Sequence, residues 1–219
     1  MKNLNKNIPD VSLELALLQK GYKRIIGIDE AGRGAWAGPV SIGAYIFKID
    51  TTIIEGVKDS KLLTPGKREF LFQKLFNIEN SIIELGEVET INKKGIGRTI
   101  VDVISSIIQK KQNETTFFLI DGIFSKNFGK NTKQIIKGDQ LHYSISCASV
   151  LAKVFRDRIL TELSKEYKGY LFEKHKGYGT KAHQEALQIY GISKIHRLNY
   201  KPIIKLANID GITKQKKKG

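Results

Sequence analysis

With 219 residues, 41% hydrophobic and 27% charged, the chain has the composition of one ordinary globular domain. No stretch approaches the roughly 20 apolar residues of a membrane-spanning helix, and Glu14 interrupts the N-terminal apolar run, which argues against a signal peptide. A single cysteine, Cys147, excludes an internal disulfide and a Cys-rich zinc site and points to a reducing, cytoplasmic setting. The 37 Lys and Arg against 22 Asp and Glu leave a net charge of +15, which attracts polyanions such as nucleic acid or an anionic membrane face.

The elements follow in chain order. Residues 1–23 read as a basic extension with a short helix. Arg24 to Glu30 is apolar and β-branched before a glycine cluster, so it predicts a buried strand. Ala37 to Phe47 predicts a second, antiparallel neighbour. Pro65 opens a helix with Thr64 as its N-cap and Phe70, Leu71, Leu75 and Phe76 at helical spacing. Ile82 to Val88 predicts a third strand. Ile96, Ile100, Ile104, Ile107 and Ile108 mark one helix face. Thr115 to Asp121 and Thr132 to Ile136 predict the fourth and fifth strands. A long helix follows over Tyr143 to Tyr167, with Ile145, Ala148, Ala152, Phe155, Ile159 and Leu163 repeating every three or four residues, and another over Thr180 to Tyr190. The expectation is an α/β fold with a mixed five-stranded sheet over residues 24–202, followed by a basic tail over 203–219.

Acids sit where the pattern does not favour them. Asp29 and Glu30 end the first apolar strand, Asp121 ends the fourth, and Asp139 precedes the long helix. Carboxylates at the ends of buried strands are unfavourable unless paired or bound to a cation. One Asp-Gly is commonly just a turn, and Asp139 reads equally well as a neighbour of the helix cap; adjacent strand acids weaken the turn reading. Crowded carboxylates suit Mg²⁺ or Mn²⁺, whose ligands are oxygens, and a pair of such ions serves phosphodiester cleavage.

The segment Gly32-Arg33-Gly34-Ala35-Trp36-Ala37-Gly38-Pro39 turns the chain after the first strand. A dinucleotide-binding reading competes with a tight hairpin here. Its spacing is G-x-G-x-x-x-G, no helix clearly follows, and two acids would face a pyrophosphate.

Seven blocks in order resemble the motifs of bacterial ribonuclease HII: GIDEAGRGAWAGPV (27–40), KDSKLL (58–63), LIDG (119–122), KGD (137–139), SCASVLAKVFRDR (146–158), HKGYGT (175–180) and IHRLNYKP (195–202). The resemblance implies a ribonuclease H-like fold with a C-terminal helical extension. It also implies a metal-dependent endonuclease, with two Mg²⁺ or Mn²⁺ ions per site, acting as a monomer. Its partners are RNA–DNA hybrids and duplex DNA with embedded ribonucleotides, and no membrane. Carried over by position, Asp29, Glu30, Asp121 and Asp139 correspond to the metal-binding and catalytic acids. Gly32-Arg33-Gly34 corresponds to the loop that contacts the 2′-hydroxyl, and Tyr178 to the tyrosine that stacks on the deoxyribose after the junction. Lys61 is a candidate phosphate contact.

Ser146 and Ser149 read as packing residues, and Lys153, Arg156 and Asp157 as an internal charge network. His142, His175, His183 and His196 default to structural or phosphate-side roles. Ala35-Trp36 departs from the family pattern in a way that bears on loop rigidity, and Asn199-Tyr200 replaces a typical Ser-Phe pair as a local packing change. The ribonuclease HIII group ranks second within the superfamily. From other classes, a non-catalytic nucleic-acid-binding module and a Rossmann-type oxidoreductase remain as rivals.

Overall fold

A computed structural model describes residues 9–76 and 79–206. Most of the expected basic tail, from residue 207 onward, and the first eight residues lie outside the described part. The elements are α1 (Ser12–Gln19), β1 (Arg24–Ala31), β2 (Val40–Phe47), α2 (Pro65–Leu75), β3 (Ser81–Gly86), α3 (Val88–Lys94), α4 (Ile96–Lys111), β4 (Thr116–Asp121) and β5 (Thr132–Ile135). They continue with the single turn α5 (Gly138–Leu141), the long α6 (Tyr143–Glu166), the single turn α7 (Phe172–His175) and α8 (Lys181–Tyr190). The chain groups into two compact units. One comprises residues up to Ala31, Ser41–Leu85 and Ile100–Phe155; the other comprises Gly32–Val40, Gly86–Thr99 and residues from Arg156 onward.

The first unit holds the mixed sheet, in the order β3-β2-β1-β4-β5. Strand β1 runs antiparallel to β2 and parallel to β4, and β4 runs parallel to β5. Ile25, Ile26 and Ile28 of β1 are all fully buried, so both faces of the strand are covered. That is why its sequence is a continuous apolar run rather than an alternating one. Leu71, Phe72 and Leu75 of α2 pack with Ile25, Leu119, Ile145 and Leu151 in one core. Thr64 caps α2 as expected, its side chain accepting from the Lys67 N–H ahead of a helix that opens on Pro65.

Two strand glycines let α6 lie against the sheet backbone to backbone. A Cβ added at Gly27 would stand 2.2 Å from the Ser144 carbonyl carbon, and one at Gly43 2.3 Å from the Ala148 carbonyl oxygen. The obstacles are main chain in a helix and cannot swing aside. Gly27→Ala and Gly43→Ala are each expected to lose about 3 kcal/mol of stability, read as a lowered urea midpoint; parental midpoints would contradict this packing.

In the second unit Ala37, Leu160, Tyr170, Phe172, Ala186, Leu187 and Ile203 form a separate core. The larger departures from expectation have local causes. The second strand begins at Val40, not Ala37, because residues 36–38 direct their N–H groups elsewhere: Trp36 and Ala37 to the Gly177 carbonyl, Gly38 to that of Ile195. The third strand stops at Gly86, and Val88 instead opens α3, whose buried residue is Ile91. The turn α5 carries Asp139, so the acid sits in its own helical turn and the long helix begins beyond it at Tyr143.

Candidate active site

Parallel pairing of β1 with β4 sets the first two acids level. Ile28 pairs with Ile120, so the next residues, Asp29 and Asp121, end adjacent strands side by side. Asp121 Oδ1 then accepts the Gly138 N–H at 2.6 Å, which fastens the start of α5 to the end of β4. Lys137, in the left-handed region at φ 57°, makes the turn into α5. Asp139 follows two residues later and, like Asp29, is buried. One ligand oxygen from each of Asp29, Asp121 and Asp139 lies within 4.8 Å of the others. Glu30 is half-buried and donates its N–H to Asp29 Oδ1 at 2.7 Å, but is not a member of that close group of three.

The electrostatics are those of a site short of positive charge. Burial, then the neighbouring Glu30 and Asp121, push the Asp29 carboxyl well above its usual range, while a hydrogen bond with Ser149 works the other way. Burial and Asp121 also raise Asp139, against the pull of Lys61. Lys61 Nζ lies 3.1 Å from Asp139 Oδ2 and 3.9 Å from Asp59 Oδ1. Burial disfavours its ammonium, but Asp139, joined by Asp59 and Asp29, outweighs that and raises the pKa overall. Its placement is built locally: Asp59 caps the 3-10 turn Ser60–Leu62 by accepting the Lys61 N–H, and Gln140 donates to the other Asp59 oxygen. Lys61, placed by sequence only as a phosphate candidate, thus belongs to the acid cluster, with its side chain still 74% exposed.

The acids fit a divalent cation. All their donors are carboxylate oxygens, three converge, and the two buried ones, Asp29 and Asp139, are held close to like charge, which a cation relieves.

Sequence reasoning missed the supports. Ser149, read as a packing residue, shares a hydrogen bond of 3.0 Å with Ser60 and also bonds Asp29. Ser146 donates to the Asp139 carbonyl at 2.5 Å. A small polar residue on an otherwise apolar helix face was the available signal in both cases.

In the second unit the Gly32-Arg33-Gly34 turn and Tyr178 are held by two buried arginines. Arg197 donates to the Gly38 carbonyl at 2.9 Å and, through one nitrogen, to those of Gly32 at 2.7 Å and Arg33 at 3.1 Å. Arg156 donates to the carbonyls of Pro39, Lys176 and Ala37 at 2.8, 2.9 and 3.0 Å. Its guanidinium carbon also stands 5.4 Å from the Tyr178 ring centre. Tyr200, read as a packing change, places its hydroxyl on the Arg33 carbonyl and accepts from Arg197. The turn leads to an antiparallel strand and not to a helix, which removes the dinucleotide-binding alternative.

The comparisons agree with this geometry. The family model described as ribonuclease HII matches residues 26–203. A ribonuclease HII of Caldicellulosiruptor bescii is 46% identical over 191 residues, 86% of this chain and 91% of that protein. One from Wolbachia pipientis of Culex pipiens is 40% identical, over 89% of this chain and 97% of that protein. The crystal structure of ribonuclease H2 from Pyrococcus horikoshii superposes with a TM-score of 0.69 at 27% identity, covering 84% of this chain and 96% of that one. Strand-end acids, sheet order and sequence therefore lead to one assignment: the chain belongs to the ribonuclease HII family, and is a metal-dependent ribonuclease H endonuclease with a ribonuclease H-like fold.

Proposed function

We propose that this endonuclease cuts the RNA strand of RNA–DNA hybrids and incises duplex DNA 5′ of embedded ribonucleotides, leaving a 3′-hydroxyl and a 5′-phosphate. Asp29, Glu30, Asp121 and Asp139 hold two divalent cations, Mg²⁺ or Mn²⁺, and the observation that supports this most is the convergence of three of those acids. When bound, the cations activate the attacking water and stabilise the departing 3′-oxygen. The protein's part is placement. The β1–β4 register and the Asp121–Gly138 bond fix the carboxylates, so little reorganisation is needed at the moment of reaction. Lys61 tethers Asp139 and, once cations neutralise the acids, has an exposed ammonium to offer a substrate phosphate.

Ribonucleotide reading falls to the Gly32-Arg33-Gly34 loop and Tyr178. The 2′-hydroxyl separates RNA from DNA at one sugar, and glycines allow main chain to approach it closely. Tyr178 stacks on the next deoxyribose. The surplus of Lys and Arg holds the phosphates of the duplex. The enzyme works as a monomer in the cytoplasm, a setting that suits the lone buried Cys147, whose thiol burial pushes far up. Among the described residues no helix is long and apolar enough to cross a membrane.

Matched duplexes with one ribonucleotide or a run of them test the reading. Arg33→Ala and Tyr178→Ala are expected to slow single-ribonucleotide cleavage more than cleavage of long hybrids, lowering the ratio of the two by about tenfold or more. An unchanged ratio, or the opposite order, would overturn the junction-reading role.

A further inference from the structure

Three of the four histidines, none of them given a role in the reaction, lie together in the second unit. His183 and His196 are fully buried, and His175 nearly so. The His175 and His183 rings stack at 4.5 Å with their planes 12° apart, and His183 Nε2 lies 3.1 Å from His196 Nε2. Trp36 and Phe172 flank the His183 ring at 5.6 and 5.5 Å.

The partners at both ends determine where every proton sits. His196 Nδ1 receives the Ser193 N–H at 2.9 Å and faces the Ser193 hydroxyl at 2.8 Å; the Ser193 carbonyl, farther off at 3.3 Å, already accepts the His196 main-chain N–H, so Nδ1 is the acceptor. A neutral imidazole has one N–H, so His196 carries it on Nε2 and donates to His183 Nε2. His183 must then carry its proton on Nδ1, which stands 3.0 Å from the Tyr178 carbonyl, a group that can only accept. The far end gives the same answer independently of the near one. His175 obeys the same logic: Nδ1 accepts the Gly177 N–H at 3.2 Å, so Nε2–H donates to the Tyr170 carbonyl at 2.7 Å. Burial keeps the chain neutral, pushing both His183 and His196 down to about 4.

We infer that His196, His183 and His175 are positioning residues for Tyr178: a proton-ordered relay from Ser193 through His196 and His183 fixes the Tyr178 carbonyl, while His175 fixes the Gly177 N–H. This rests on the proposed role of Tyr178 at the RNA–DNA junction. The segment needs such support because Lys176 and Gly177 both have positive φ, 51° and 78°, and make no strand or helix of their own. The Tyr178 carbonyl adjoins the Tyr178 Cα and the Gly177 N–H lies one residue before it, so the histidines hold the main chain on both sides of the position that carries the ring.

Two measurements on the full chain test the relay. Nitrogen-15 spectra of the imidazoles at neutral pH are expected to give the Nδ1–H tautomer for His183 and the Nε2–H tautomer for His175 and His196. An Nε2–H His183 would overturn the inference whatever the variants do. Cleavage at one embedded ribonucleotide, divided by cleavage of a long hybrid, gives the second readout. His183→Phe fills the space without the donor and is expected to lower that ratio about tenfold. His183→Asn, whose amide replaces the Nδ1–H, is expected to restore most of it. An unchanged ratio in folded His183→Phe overturns the relay if Tyr178→Ala does lower it. If Tyr178→Ala leaves the ratio unchanged as well, the role of Tyr178 is what fails.

Discussion

Asp29→Asn is expected to lower kcat on a ribonucleotide-containing duplex by on the order of a thousandfold or more, with hybrid binding in EDTA close to that of the parent protein. Asparagine keeps an oxygen for the Glu30 N–H that Asp29 accepts at 2.7 Å, so the local fold survives. What it lacks is the charge that holds a cation. Affinity for the duplex comes chiefly from Lys and Arg on phosphates, which the substitution does not touch. Single-turnover cleavage with Mg²⁺ beside binding without it separates the two, and near-normal turnover would remove Asp29 from the metal site.

The same substitution should stabilise the metal-free protein. The folded Asp29 pKa is raised above the unfolded value of 3.8, by burial first and by Glu30 and Asp121 next. A carboxyl raised in this way contributes its stability below the unfolded value and loses it as pH rises through the folded one. In EDTA the variant is therefore expected to melt above the parent at pH 8, with the gap closing as pH falls toward 4. Added Mg²⁺ should raise the parent's melting temperature and move the variant's much less. A site that weakens the fold when empty of positive charge is a site shaped for a cation.

Much of this was legible because strand ends and glycines leave strong marks. The apolar run Arg24–Glu30 reads as a strand on any scheme, and an acid pair at its end conflicts with burial strongly enough to stand out. The level placement of Asp29 and Asp121 was not legible, since it depends on β1 pairing in parallel with β4 across some ninety residues of chain. Nor was the turn α5, because a four-residue helix carries no periodicity. Ser149 was ambiguous for a different reason: a small residue on a buried helix face satisfies packing whether or not its hydroxyl bonds an acid. The expected strand at Ala37 failed through side chains, since apolar residues at 37 and 40 look like a strand until two distant arginines take the carbonyls between them.

Those arginines define the second large effect. Arg156→Lys, conservative in charge, is expected to cost about 2–4 kcal/mol, at roughly 1 kcal/mol or more for each carbonyl left without a donor. The guanidinium reaches Pro39 through Nε, Lys176 through one terminal nitrogen and Ala37 through the other, three directions from one planar group. An ammonium is a single point on a flexible stem and cannot span them. Gly32 is fitted to the same group: a Cβ there would stand 1.9 Å from Arg156 Nε, at a φ of +91° that already favours glycine. Gly32→Ala should therefore disturb the guanidinium as well as the turn, and the two substitutions should combine to less than the sum of their separate effects. Urea denaturation of the single and double variants reads this directly. Parental stability in Arg156→Lys, or strict additivity with Gly32→Ala, would mean that the turn before Val40 is held by something other than this arginine.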